Sequence, residues 1–393
     1  VCEVTGDAVR LIWRGFGVDA APELTVEATA SIAPALPEIR WRIAVSNLGK
    51  LAAKEVHFPY IGWMARQSGE TLAVPNWMGE CTHSARAMLG DADEDRQWDY
   101  PGPLSLQCVA LYGDSGRGMA LFCEDPAAGR KSFAMFGENA DTLGLKVIHY
   151  PPIAPERDAF APAFDTVVAL CDGGWFGAAE RYREWGLEQS WARESRLRTG
   201  ALPAWLAETG LWIWNRGRSE NVLVPAEYVQ ERAGVPVSVF WHWWHGCSYD
   251  TGFPEYLPPR EGAEAFRDAV AKAKEQGIHE LVYMNQRLWG TQTKSWTEEG
   301  AERFAVKDKA GKIREEVYNT FTKAPCAPMC IGTPFWRNKY AGLAEQAVAL
   351  GVDGIYMDQA CLSLPCYDAS HGHPLGGGAF WLEGFRDLTL DIR

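Results

Sequence analysis

An aspartate closes a short apolar run, Gly351-Val352-Asp353-Gly354-Ile355-Tyr356-Met357-Asp358-Gln359. Ile355, Tyr356 and Met357 suit a buried strand, and Gly351 and Gly354 would weaken a helix. A parallel strand buried on both faces reads as such a run. The C-terminal end of a strand is where an α/β barrel places its chemistry. Side chains alternate, so Tyr356 shares a face with Asp358 and would fill the layer below it. A carboxylate here could attack a sugar at its anomeric carbon: it stabilises an oxocarbenium-like transition state and then forms the covalent intermediate. A retaining glycosidase also needs a second carboxyl group, roughly 5–5.5 Å away, as acid/base. If Asp358 does no chemistry, it caps the loop that follows.

Other strand ends switch from apolar to polar in the same way. Trp214-Asn215-Arg216 closes a first strand, Trp241-His242-Trp243-Trp244-His245 a second, and Asn285-Gln286-Arg287 a third. A period of two places His242 with Trp244, and Trp241, Trp243 and His245 on the other side. The two histidines are three apart, so a regular strand cannot aim both at one site. We expect Trp214, Asn215, Trp244, His245, Asp250, Asn285, Arg287 and Gln359 to contact sugar, by ring stacking or by hydrogen bonds to hydroxyls, with Arg287 able to steady a carboxylate. The competing reading is that the tryptophans fill the sheet–helix interface and that the polar groups are ordinary loop residues.

GVDGIYMDQ resembles the fourth barrel strand of the retaining α-glycosidase clans, the α-glucosidase-like and α-galactosidase-like families. The resemblance implies that Asp358 is the nucleophile, that Asp353 is a strand-start residue without a chemical role, and that the acid/base lies on a later strand. The sequence departs from the α-glucosidase pattern at Gln359-Ala360. Cys366 to Gly378, CYDASHGHPLGGG, is similar to a glycoside-hydrolase-like barrel family with an N-terminal β-domain. It implies a retaining double displacement on a carbohydrate, α-linked by resemblance alone. The alternative is a non-catalytic carbohydrate-binding or scaffold protein on a barrel fold.

These strand ends must be held by a scaffold. Residues 1–172 carry short, partly alternating strands such as 11–14, 39–45, 106–112, 118–123 and 166–170, punctuated by Gly, Pro, Asn and Asp turns, which predicts a β-sandwich. Trp175, Ala178, Ala179, Tyr182 and Trp185 form one stripe of a linker helix within 173–199. From 200 to 393 strands and helices alternate, which predicts four βα units, the first half of a (β/α)8 barrel. The helices are expected at 225–232, 261–276, 335–350 and 380–393. A half-barrel would leave bare sheet edges and an exposed inner face, so the native protein is expected to continue beyond Arg393. The fold class is therefore multidomain β plus α/β.

The long loop 290–334 holds Cys326 and Cys330; Cys361, Cys366, His371 and His373 follow the fourth strand. C-x3-C and C-x4-C are not the usual zinc-knuckle spacings, so disulfide, free thiol or loop packing is expected ahead of a metal. Gly376-Gly377-Gly378 lacks the Lys and Ser/Thr of a P-loop and reads as a flexible turn. No dinucleotide fingerprint or catalytic serine motif is found, and no cofactor is expected. The net charge of −13, with no basic stripe, argues against nucleic acid. No run approaches the roughly 18 apolar residues of a membrane span. Eighteen Trp, clustered between Trp175 and Trp296, suit cores and sugar stacking alike. A polysaccharide-degrading role would favour export, to the periplasm or outside the cell; the residues themselves leave the compartment open.

Overall fold

A computed structural model describes all residues except 33, 84, 90–94, 138–141, 155–156, 248–250, 361 and 363. It has the β plus α/β architecture expected from the sequence. The chain forms two compact units. One is built on Val1–Ser195 with Pro374–Leu382, the other on Arg196–Ala360 with Leu364–His373 and Glu383–Arg393. No helix is long and apolar enough to cross a membrane, among the described residues.

The first unit holds a ten-stranded and a four-stranded antiparallel sheet. Leu72, Val109, Leu111 and Leu121 of the larger sheet share a core with Trp98, Phe133, Met135, Leu145 and Val147 of the smaller. The sequence pattern does not reveal the strands Lys131–Gly137 and Thr142–His149. Both are buried almost throughout, so neither shows polar–apolar alternation. Lys131 begins the first of them because its ammonium is paired inside the fold, 2.8 Å from Asp125 and 2.9 Å from Gln107 Oε1. The helix Gly174–Leu187 lays Ala178 and Tyr182 on the outer face of the larger sheet, against Ala110, Phe122 and Val167. Arg181 on that helix reaches buried Glu38 at 2.9 Å.

The glycine run has a packing reason. A side chain on Gly377 would meet the Tyr150 carbonyl at 2.1 Å, and Gly377 is flanked by the positive φ angles of Gly376 and Gly378. The segment bridges to the chain at Ile153, paired with Leu375. Close backbone approach, not flexibility, requires these glycines.

The second unit is a four-stranded parallel sheet. Its strands are Leu211–Arg216 (β1), Val237–His242 (β2), His279–Asn285 (β3) and Gly354–Asp358 (β4), hydrogen-bonded in that order. Helices Ser219–Ala233 (α1), Ala263–Glu275 (α2), Pro334–Val348 (α3) and Phe380–Asp391 (α4) alternate with them. α2 shows the expected end: Gly277 takes φ +73, and the Ile278 amide returns to the Ala273 carbonyl. α1 starts six residues before the expected Pro225. Pro225 cannot donate to the Asn221 carbonyl one turn back. The Asn215 side chain donates to that carbonyl instead, at 2.7 Å, so the helix runs through the proline.

One face of this sheet is covered by helices. Trp241 packs on Phe266 of α2 with ring centroids 4.9 Å apart, and Tyr340 of α3 donates to the Met284 carbonyl. The other face is open. Trp212, Trp214 and Tyr356 are 38%, 53% and 41% exposed, so β4 is not buried on both faces as its apolar run suggested.

At the N-terminal start of β4 a partly exposed carboxyl meets a buried one. Asp353, at the start of β4, holds Lys274 at 2.9 Å and His279 at 3.1 Å. Glu280 is fully buried; burial, and then the neighbouring Asp353 charge, push its carboxyl up to about 9. The folded state therefore binds a proton that the unfolded chain releases above pH 4.5, and this contribution to stability is lost as pH rises toward 9. Glu280→Gln is expected to remove the loss and to stabilise the fold by on the order of 3 kcal/mol at pH 7. Urea unfolding of both proteins at pH 5 and pH 8 checks this: a difference that stays flat with pH would refute it.

Candidate active site at the C-terminal strand ends

Register brings the strand ends together. Asn285 pairs with Asp358 and Tyr283 with Tyr356, while Arg216 pairs with His242 on β1 and β2. On the open face, the Tyr283 hydroxyl donates to Asp358 Oδ2 at 3.1 Å. Asn285 Nδ2 donates to the Tyr283 oxygen at 3.3 Å. The His242 ring lies on Tyr283 at 4.1 Å, and Trp214 meets His242 edge-on at 5.5 Å. Tyr356 packs on Phe240 at 3.9 Å in the layer beneath. Asp358 is thus a partly exposed side chain at the head of an aromatic face, fixed by the neutral Tyr283 hydroxyl, with no cation paired to it among the described residues.

Arg287 supplies the layer behind it. Its guanidinium is 1% exposed and grips Glu316 through two bonds of 2.9 and 2.8 Å. It also donates to Gln359 Oε1 at 2.8 Å and to the Tyr318 hydroxyl. Burial opposes the Glu316 charge, but the hydrogen bonds from Arg287 and Tyr318 outweigh it and hold the carboxyl below its ordinary value. Glu316 is therefore ionised at neutral pH and is no proton donor. Gln359 sits at φ +58, which turns the chain sharply just after Asp358. The Asn285 side-chain oxygen accepts from the Arg287 and Leu288 amides at 3.0 and 2.9 Å and closes the turn after β3.

The sequence-expected residues separate into three groups. Asp358 and Trp214 stand on the open face. Asn285, Arg287 and Gln359 form the supporting layer, and the carboxylate that Arg287 steadies belongs to the chain itself. Trp244, His245 and Asn215 lie elsewhere. Trp244 is 1% exposed; it packs on Phe266 and donates to the Tyr283 carbonyl at 2.8 Å. His245 is fully buried, with Nδ1 3.0 Å from the Cys247 carbonyl. Burial pushes its ring down to about 4, so it is neutral at pH 7 and Nδ1 carries the proton. Asn215 serves α1. Asp250 lies outside the described residues.

The alternation drawn through Trp244 fails because Trp243 takes φ +52 and ends β2 at His242. As a result both histidine rings approach Tyr283, His242 at 4.1 Å and His245 at 6.5 Å. Tyr283 and Glu316 are not among the residues expected from sequence. Tyr283 has a signal, since period two places it beneath Asn285. Glu316 has none, lying 29 residues beyond Arg287 in a long loop.

Residues 160–393, more than half of the chain, match the model of a family described as "Domain of unknown function (DUF6259)". The chain belongs to this family. A Bacteroides thetaiotaomicron protein named "Putative glycoside hydrolase" is 25% identical over 99% of the chain, and a Monosiga brevicollis protein named "Putative glycoside hydrolase 22789" is 25% identical over 74%. The chain spans 57% and 27% of the lengths of these two relatives. Among solved structures, the GalNAc complex of α-N-acetylgalactosaminidase NagBb from Bifidobacterium bifidum superposes with a TM-score of 0.70 at 14% identity, covering 99% of this chain and 65% of that one. The GH36 α-galactosidase AgaA from Geobacillus stearothermophilus gives 0.58 at 11% identity, over 98% and 53%. These likenesses show the fold of this chain.

Proposed function

We propose that this chain carries the nucleophile half of a retaining glycoside hydrolase. The observation that carries the reading is the placement of Asp358: a carboxylate at a strand end, hydrogen-bonded by Tyr283, at the head of an open face bearing Trp212, Trp214 and Tyr356. The names of the two curated relatives and the fold shared with α-N-acetylgalactosaminidase and α-galactosidase structures support it. The sugar is assigned to the α-linked class on those likenesses.

In this reading Asp358 attacks the anomeric carbon as the glycosidic C–O bond breaks and the acid/base protonates the departing oxygen; water, giving a proton back to that acid/base, then hydrolyses the glycosyl–Asp358 ester and frees the carboxylate. Tyr283 aims one carboxylate oxygen, leaving the other to attack. Aromatic rings on the open face stack on the sugar's apolar side. A second carboxyl group serves as the acid/base in this reading. A mechanism-based trap tests the assignment. Incubation of the full-length protein with an activated fluoro-α-galactosyl or fluoro-α-N-acetylgalactosaminyl donor is expected to leave a glycosyl group on the peptide that contains Asp358, read by mass spectrometry. Turnover with the label on another carboxylate would overturn the role of Asp358. Saturable sugar binding with neither label nor turnover would favour the non-catalytic reading.

A further inference from the structure

Cysteines that the sequence pairs as C-x3-C and C-x4-C are regrouped by the fold. One member of each pair, Cys330 and Cys366, meets both His371 and His373. The four candidate donor atoms all lie within 4.8 Å of one another. Cys330 Sγ is 3.1 Å from His373 Nε2, and Cys366 Sγ is 3.3 Å from His371 Nδ1. We propose that these four residues form a closed, structural zinc(II) site that clamps the loop after β4 to the insertion after β3.

Geometry, donor type and support agree. With Zn–S of about 2.3 Å and Zn–N of about 2.0–2.1 Å, a tetrahedral site has donor–donor edges of roughly 3.3–3.8 Å. To meet that, the two S···N contacts lengthen by a few tenths of an ångström and the widest separation, within 4.8 Å, closes by about 1 Å. Two thiolates and two imidazoles suit zinc, whereas calcium and magnesium take oxygen donors. Cys330, Cys366 and His371 are buried and His373 partly so, which leaves one side for metal entry. His371 carries the support expected of a ligand. Its second ring nitrogen, Nε2, is 2.9 Å from the Arg303 carbonyl. That carbonyl can only accept, so Nε2 bears the proton and the Nδ1 lone pair faces the cluster. A disulfide between Cys330 and Cys366 would leave this histidine arrangement without a purpose. Cys330 and Cys366 are free thiols.

Four protein ligands leave no open position for a reacting water, so the site is structural. Its position explains what it holds. The insertion 286–333 and the segment 364–373 contain little regular structure, and ordering such segments is costly. Two other links join the same segments: the Tyr367 amide bonds to the Lys307 carbonyl at 2.9 Å, and Lys307 pairs with Asp368. Next to Cys330, the Met329 amide bonds to the Arg287 carbonyl at 2.7 Å. The clamp thus braces the insertion that delivers Glu316 to Arg287, behind Asp358. The proposal stands whether or not Asp358 is catalytic.

The test uses the full-length protein, purified without chelator after expression with added zinc. Elemental analysis is expected to find about one zinc per chain for the wild type and for Cys326→Ala, and none for Cys366→Ser or His371→Ala. If those two variants fail to fold, the wild type alone decides. Cobalt(II) in place of zinc should give tetrahedral d–d bands with thiolate charge transfer. Zinc should also slow alkylation of Cys330 and Cys366 at least about tenfold relative to chelator-treated protein, because a bound thiolate is shielded. A substoichiometric metal content after equilibration with zinc overturns the proposal. So does an octahedral cobalt spectrum, equal alkylation with and without zinc, or a Cys330–Cys366 disulfide in the purified protein.

Discussion

Asp358→Asn is expected to lower kcat on an aryl α-glycoside by about 10³-fold or more, while the melting temperature stays within a few degrees of the wild type. Each factor of ten is about 1.4 kcal/mol of activation free energy, so the change removes roughly 4 kcal/mol or more of transition-state stabilisation. The amide has the shape of the carboxylate but neither its charge nor its nucleophilicity. Its oxygen can still accept from Tyr283, so the packing has no reason to change. Steady-state kinetics beside thermal unfolding separate the two effects. Near-normal turnover in a folded variant would remove Asp358 from the chemistry. A large fall in melting temperature would make it a loop cap instead.

The largest stability effect is expected at Arg287. Arg287→Met should cost about 3–5 kcal/mol, because it leaves the Glu316 carboxylate partly buried without its counter-charge. Gln359 and Tyr318 lose their donor in the same step. The fall should be pH-dependent. In the wild type the Glu316 carboxyl titrates below its ordinary value, so its stabilising contribution is present above the unfolded carboxyl's range and is lost only as pH drops through the lower folded value. The variant should therefore approach the wild type in acid. Arg287→Met/Glu316→Leu is expected to recover most of the loss, since replacing both partners removes the buried charge. Denaturant unfolding of the single and double variants measures this. A double variant no more stable than Arg287→Met would mean that the ion pair is not what holds this layer.

Much of the scaffold is legible along the chain. Strand His279–Asn285 appears at its expected bounds because both its period and its flanking turn signals are local. α2 ends at Gly277 for the same reason. The sequence pattern cuts α1 short at Pro225, since proline at a helix start is the commoner pattern and the rescuing Asn215 lies on another element. It carries β2 two residues too far because the left-handed turn at Trp243, a bulky residue, has no local cue. The strands Lys131–Gly137 and Thr142–His149 escape it because both are buried almost throughout and lack the polar–apolar alternation by which a strand is read along the chain.

The same division holds at the candidate site. Sequence alone determined that Asp358 ends an apolar strand of an alternating βα series, since a strand's composition and an aspartate's position are properties of neighbouring residues. Only the tertiary structure decided who surrounds it. Parallel register set Tyr283 beside Asp358, and a loop excursion carried Glu316 back to Arg287. The fold also drew Cys330 to Cys366, His371 and His373 across 36 or more residues. Such contacts depend on where the chain returns in space, and spacing along the sequence does not encode that distance.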